Sequence, residues 1–110
     1  MFYDYINTSQ RMKKRYNDMR IAYLIKIKGI VTGVCFRHYT LQEARKYPGL
    51  DGYVRNVYEG NVEVCVQGEK EKVLCFIEWL KHGPSHARVD EIKINQVPVS
   101  QALGPFSIKY

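Results

Sequence analysis

"GYVRNVYEGNVEVCVQGEKEKVLCFIEWLKHG", residues 52–83, changes its hydrophobic period once, and that change decides the fold. In the first half Val62, Val64 and Val66 fall two apart, the period of a strand with one buried face, and Gly60 centres a turn between two such runs. A hairpin is predicted. In the second half Val73, Phe76, Ile77 and Leu80 lie on one helical stripe, with acids early, Lys81 and His82 late, and Gly83 as a stop. A helix is predicted there.

Upstream, Ile21, Tyr23, Ile25 and Ile27 alternate with residues that include Lys26 and Lys28, which reads as a strand. Phe36, Thr40, Ala44 and Tyr47 then recur at helical spacing until Pro48 and two glycines in "YPGLDG" break the chain. Downstream, Ile92 and Ile94 mark a further strand, and "PFSIKY" a short last one with Phe106 and Ile108 on one side. The order is βαββαβ plus a terminal strand. Two right-handed βαβ units of this kind build an α+β sandwich, a mainly antiparallel sheet with both helices on one face, the ferredoxin-like arrangement.

A chain of 110 residues with 45% hydrophobic content closes one core without metal or disulfide staples. Cys35, Cys65 and Cys75 show neither CxxC nor Cys/His spacing, so no disulfide framework or zinc site is indicated, and a reducing, cytoplasmic setting is expected. No stretch approaches the roughly 18 apolar residues of a membrane span, and no signal-peptide core precedes the first strand. The formal charge of +6 favours acidic partners but does not choose among them. Half of the excess lies in residues 1–20, which read as an N-terminal extension, expected to be a flexible tail rather than a docked helix. Residues 21–110 form the domain.

In "GIVTGVCFRH", residues 29–38, the loop after the first strand runs into the first turn of a helix. A helix N-terminus already carries unpaired N–H groups and about half a positive charge, so Arg37 there costs stability unless an anion arrives. Such a local conflict flags a site. Gly29 and Gly33 permit backbone angles that point N–H groups inward and allow close approach of a ligand, which together describe a cradle for one phosphate. In isolation, an arginine reaching to solvent beside an ordinary glycine turn is the commoner arrangement, and neither phosphate-loop nor dinucleotide glycine patterns are present.

"GIVTGVCFR" resembles the acylphosphatase signature G-x-V-Q-G-V-x-[FY]-R, and "GYVRNVYEGNVEV" resembles that family's second block, G-[FY]-V-x-N-x-x-x-G-x-V-E. The likeness continues through "GPSHARVDEI" and "FSIKY" and so spans residues 21–110. It implies an acylphosphatase, hydrolysing the carboxyl–phosphate bond of acyl phosphates to a carboxylate and inorganic phosphate. The family's catalytic arginine falls on Arg37 and its catalytic asparagine on Asn56. Its phosphate-binding loop falls on Ile30, Val31, Thr32, Gly33, Val34, Cys35 and Phe36. Thr32 stands where the family has Gln, which keeps open an alternative: a catalytically weakened phosphate-binding or regulatory relative.

An acyl phosphate expels a carboxylate whose conjugate acid has a pKa of roughly 4, so no general acid, metal or other cofactor is needed. An arginine fork and converging N–H groups supply the charge stabilisation. The expected partners are a small acyl phosphate and inorganic phosphate, with the chain acting as a monomer. Attack through cysteine is disfavoured, because the positions at which thiol phosphatases carry arginine hold Leu41, Glu71 and Lys81. His38, His82 and His86 lack ligand or triad spacing. Nucleic-acid binding is disfavoured as well, since "GNVEVCVQG" replaces the stacking aromatics of RNA-recognition domains. A metal carrier of similar fold would need a second cysteine in "GIVTGVC".

Overall fold

The computed structural model describes residues 19–31 and 35–110; the predictions made for residues 1–18 and for Thr32, Gly33 and Val34 lie outside the described residues. Strand β1 (Arg20–Ile30) leads to helix α1 (Phe36–Ala44) and strand β2 (Asp51–Val57). A single 3-10 turn (Tyr58–Gly60) joins β2 to β3 (Asn61–Glu69). Helix α2 (Lys70–Leu80), β4 (Arg88–Val97) and β5 (Ser107–Lys109) complete the chain. The sheet order is β4-β1-β3-β2-β5, antiparallel except for the β2–β5 pair. This is the predicted α+β ferredoxin-like sandwich with an added edge strand.

The helix-facing side of the sheet is set by the two-residue period. Ile25 and Ile27 on β1 and Val62, Val64 and Val66 on β3 are fully buried, and they close on Phe36 from α1 and on Val73, Phe76 and Leu80 from α2. Each such side chain contributes about 1.5–3 kcal/mol by leaving water. Gly83, with φ 68°, ends the α2 turn by donating its N–H to Trp79 O at 2.8 Å, as the stop signal predicts. Tyr47 lies beyond the last turn of α1 and packs against the core from the loop.

Alternation predicts one buried face for β3, yet Glu63 and Gln67 on its other face are buried too. The cause is topological. β4 and β5 occupy opposite edges of the sheet, so the chain between them must cross the face that the helices leave bare. Gln67 clamps that crossing: its Nε2 donates to Ser100 O and its Oε1 accepts from Ser100 N, both at 2.7 Å. Gly52 N–H then donates to Gly104 O at 3.0 Å and Phe106 N–H to Leu50 O at 3.2 Å, guiding the chain into β5.

Glu63 is covered differently, by the Tyr53 hydroxyl, which donates to its Oε2 at 2.9 Å, and by Arg55 Nε, which donates to the same oxygen at 2.8 Å. Burial pushes the Glu63 carboxyl up, but these two bonds and the charges of Arg55 and Lys26 outweigh it and hold the group below its ordinary 4.5. The partner Tyr53 is pushed up to about 12 by burial and by its bond to Glu63. A carboxyl whose folded pKa is depressed stabilises the fold above its unfolded value, and that contribution disappears as pH falls through the folded value. Glu63→Gln is therefore expected to lose about 1.5–3 kcal/mol at neutral pH. It should also show a shallower fall in Tm below pH 4.5 than the parent, measured by calorimetry across an acid series. Equal acid slopes for the two proteins would contradict this account.

Candidate active site

The N-terminus of α1 is electropositive and has no side-chain cap among the described residues. Its N-cap, Cys35, takes a left-handed conformation (φ 59°, ψ 25°), makes no side-chain cap, and no acid stands in the first turn. The first intrahelical bond runs from Tyr39 N–H to Cys35 O at 3.1 Å, so the N–H groups of Phe36, Arg37 and His38 have no acceptor within the helix.

That turn is pinned from the core side. Phe36 is 1% exposed, its ring centroid lies 6.2 Å from that of Trp79, and a Cβ on Gly83 would come within 2.6 Å of Phe36 Cε2. Thr40 is fully buried and its Oγ1 donates to Phe36 O at 2.8 Å. Buried Val31 holds the other end of the loop, whereas Ile30 and Cys35 are exposed. Arg37, next to the Phe36 anchor, is half-buried.

The Arg37 guanidinium lies 4.9 Å from the ring centroid of Tyr110, a cation–π contact. Tyr110 connects the helix to the sheet. In the parallel pairing of β5 with β2, Val54 faces Ile108 and Arg55 faces Lys109, so Tyr110 follows at the level of Asn56. Val54 and Ile108 pack on the helix side, and residues two further on return to that face. Asn56 is exposed there, opposite Val62, which in turn is opposite Ile27 near the end of β1. Arg37, Asn56 and the two ends of the loop thus gather at one end of the sheet, where β1, β2 and β5 all finish. Nothing local in "FSIKY" marks Tyr110, because only the sheet order puts β5 beside β2.

Gly29 has a different purpose from the one its position in the motif suggested. It sits inside β1 with φ 145°, at a register shift against β4, and an added Cβ would meet Arg88 O at 2.0 Å. The close approach it permits is that of the neighbouring strand, not of a ligand.

A half-buried guanidinium with no carboxylate counter-ion among the described residues, at the positive end of a helix dipole, suits a dianion such as a phosphoryl group. The fold and this corner define a ferredoxin-like α+β domain whose first helix starts without a side-chain cap, with Arg37 in its first turn, beside the ends of β1, β2 and β5. The acylphosphatase family model matches residues 23–108. An acylphosphatase of Geobacter sulfurreducens is 39% identical over 92 residues, covering 84% of this chain and all of the relative. One of Aliivibrio fischeri is 51% identical over 72 residues, covering 66% of this chain and 79% of the relative. The crystal structure of the acylphosphatase from Bacillus subtilis superposes with a TM-score of 0.76 at 32% identity, covering 82% of this chain and 99% of that one. The chain belongs to the acylphosphatase family.

Proposed function

We propose that the protein is a metal-independent acylphosphatase in which Arg37 holds the phosphoryl oxygens and Asn56 orients the attacking water. The N–H groups at the start of α1 and in the loop from Ile30 to Phe36 share the phosphoryl charge with the Arg37 fork. Asn56 offers its side-chain oxygen to accept from the water and its NH2 to donate. The water oxygen bonds to phosphorus as the bond from phosphorus to the acyl oxygen breaks, and that electron pair leaves on the carboxylate. The water's proton passes to a phosphoryl oxygen, giving inorganic phosphate. Since the carboxylate is a stable anion near neutral pH, neither a general acid nor a metal is asked to assist it.

The observation that carries this reading is the uncapped start of α1, where half-buried Arg37 rests on Tyr110 at the level of Asn56. The test is hydrolysis of benzoyl phosphate by the full chain in excess chelator. Turnover is expected to persist there and to be inhibited competitively by inorganic phosphate. No turnover, or a strict requirement for magnesium, would overturn the proposal.

A further inference from the structure

The face of the sheet turned away from the helices carries one row of side chains across all five strands: Lys93, Lys26, Glu63, Arg55 and Lys109. Four cations share one carboxylate, and that carboxylate is already engaged by Arg55 and Tyr53. Lys109 sits 4.2 Å over the Tyr53 ring, but Lys26 closes no ion pair among the described residues and lies directly opposite Lys93. Like charges in that position destabilise a sheet. In the next row Lys28 faces Glu91, which stretches between Lys28 at 3.8 Å and Lys93 at 3.9 Å, both long contacts. The chain crossing from β4 to β5 covers this face only at the Gln67 end and leaves the lysines in the open.

Lys26, Lys28 and Lys93 border a cleft of about 460 Å³ that reaches to the β2–β3 turn, a size suited to a small molecule. At the turn, Glu59 and Gly60 have φ of 64° and 75°, and they present Tyr58, 94% exposed, with Val57 beside it as an apolar wall. Asn61 and Glu59 also line the cleft and offer hydrogen-bonding groups. With Glu63 occupied by Arg55 and Tyr53, three ammonium groups are offset by Glu59 and Glu91, leaving a cationic surplus at one end and an aromatic ring at the other.

We propose that this cleft binds a nucleoside di- or triphosphate, its phosphates on Lys26, Lys28 and Lys93 and its base against Tyr58. The site is separate from Arg37 and Asn56, because β1 and β3 present opposite faces to the two. Binding requires no bond-making or bond-breaking.

The test is calorimetric titration of the full chain with ADP, repeated on Arg37→Ala so that the catalytic anion site does not contribute. ADP is expected to bind both proteins alike, and adenosine or inorganic phosphate at least tenfold more weakly. Lys26→Gln combined with Lys93→Gln should weaken ADP at least tenfold while leaving benzoyl phosphate hydrolysis unchanged. Tyr58→Ala should weaken ADP but not inorganic diphosphate. Amide NMR shifts in the unaltered chain should change at Lys26 and Tyr58 on adding ADP, a readout that depends on no variant. The proposal is overturned if ADP does not bind, or if binding disappears with Arg37→Ala, which would place it in the catalytic corner. Loss with Lys13→Gln and Lys14→Gln but not with the sheet lysines would assign it to the N-terminal segment and equally overturn it.

Discussion

Arg37→Ala is expected to lower kcat/KM for benzoyl phosphate by roughly 10³–10⁵, in the range of an arginine that neutralises a transferring phosphoryl group. The loss should fall on KM and kcat together, because in the proposed role the guanidinium would meet the phosphoryl oxygens in the bound substrate and again as charge redistributes in transfer. Stability should move little. Removing a cation from the positive end of α1 returns about 0.3–1 kcal/mol, while giving up the contact with Tyr110 costs a similar amount. That near-cancellation separates a functional arginine from a structural one: an unchanged Tm with lost turnover supports the site, and a fallen Tm with turnover kept per folded molecule contradicts it. Lys should rescue poorly, since a point charge does not reproduce the planar fork.

A structural feature is legible in the sequence alone when the contacts that make it are local. The α2 stripe of Val73, Phe76, Ile77 and Leu80 was legible because one helix face meets one core, and all four are buried. The hairpin was legible for the same reason, with Gly60 at its turn. The second buried face of β3 was not, because Gln67 is covered by a segment more than thirty residues away that must cross the sheet to reach its far edge. Gly29 shows the converse error. Its backbone freedom was readable, but the neighbour that uses it, Arg88 on β4, is set by strand order. Arg37 stood out by violating a local rule, whereas its stacking partner Tyr110 obeys every local rule and becomes visible only through the register of β5 on β2. Asn56 lay between these cases: a hairpin asparagine is unremarkable as local sequence, and its meaning comes from the sheet end it shares with the start of α1.

Asn56 also provides the second test, of a different kind from the first. Its side chain is exposed and makes no hydrogen bond among the described residues, so Asn56→Ala should change stability by no more than about 0.5 kcal/mol. If it orients water, the groups it holds matter only as the oxygen approaches phosphorus, and the substrate is bound no less tightly without it. The expected result is a kcat reduced by about 10²–10³, or about 2.7–4 kcal/mol, with KM nearly unchanged. Asn56→Asp refines the assignment. A carboxylate keeps an acceptor for the water but loses the NH2 donor and places negative charge near the phosphoryl oxygens, so KM should rise as well as kcat fall. Hydrolysis by Asn56→Ala at the parent rate would remove Asn56 from the mechanism while leaving Arg37 and the helix terminus as the anion site. A KM effect alone would make Asn56 a binding group and leave water positioning to another residue.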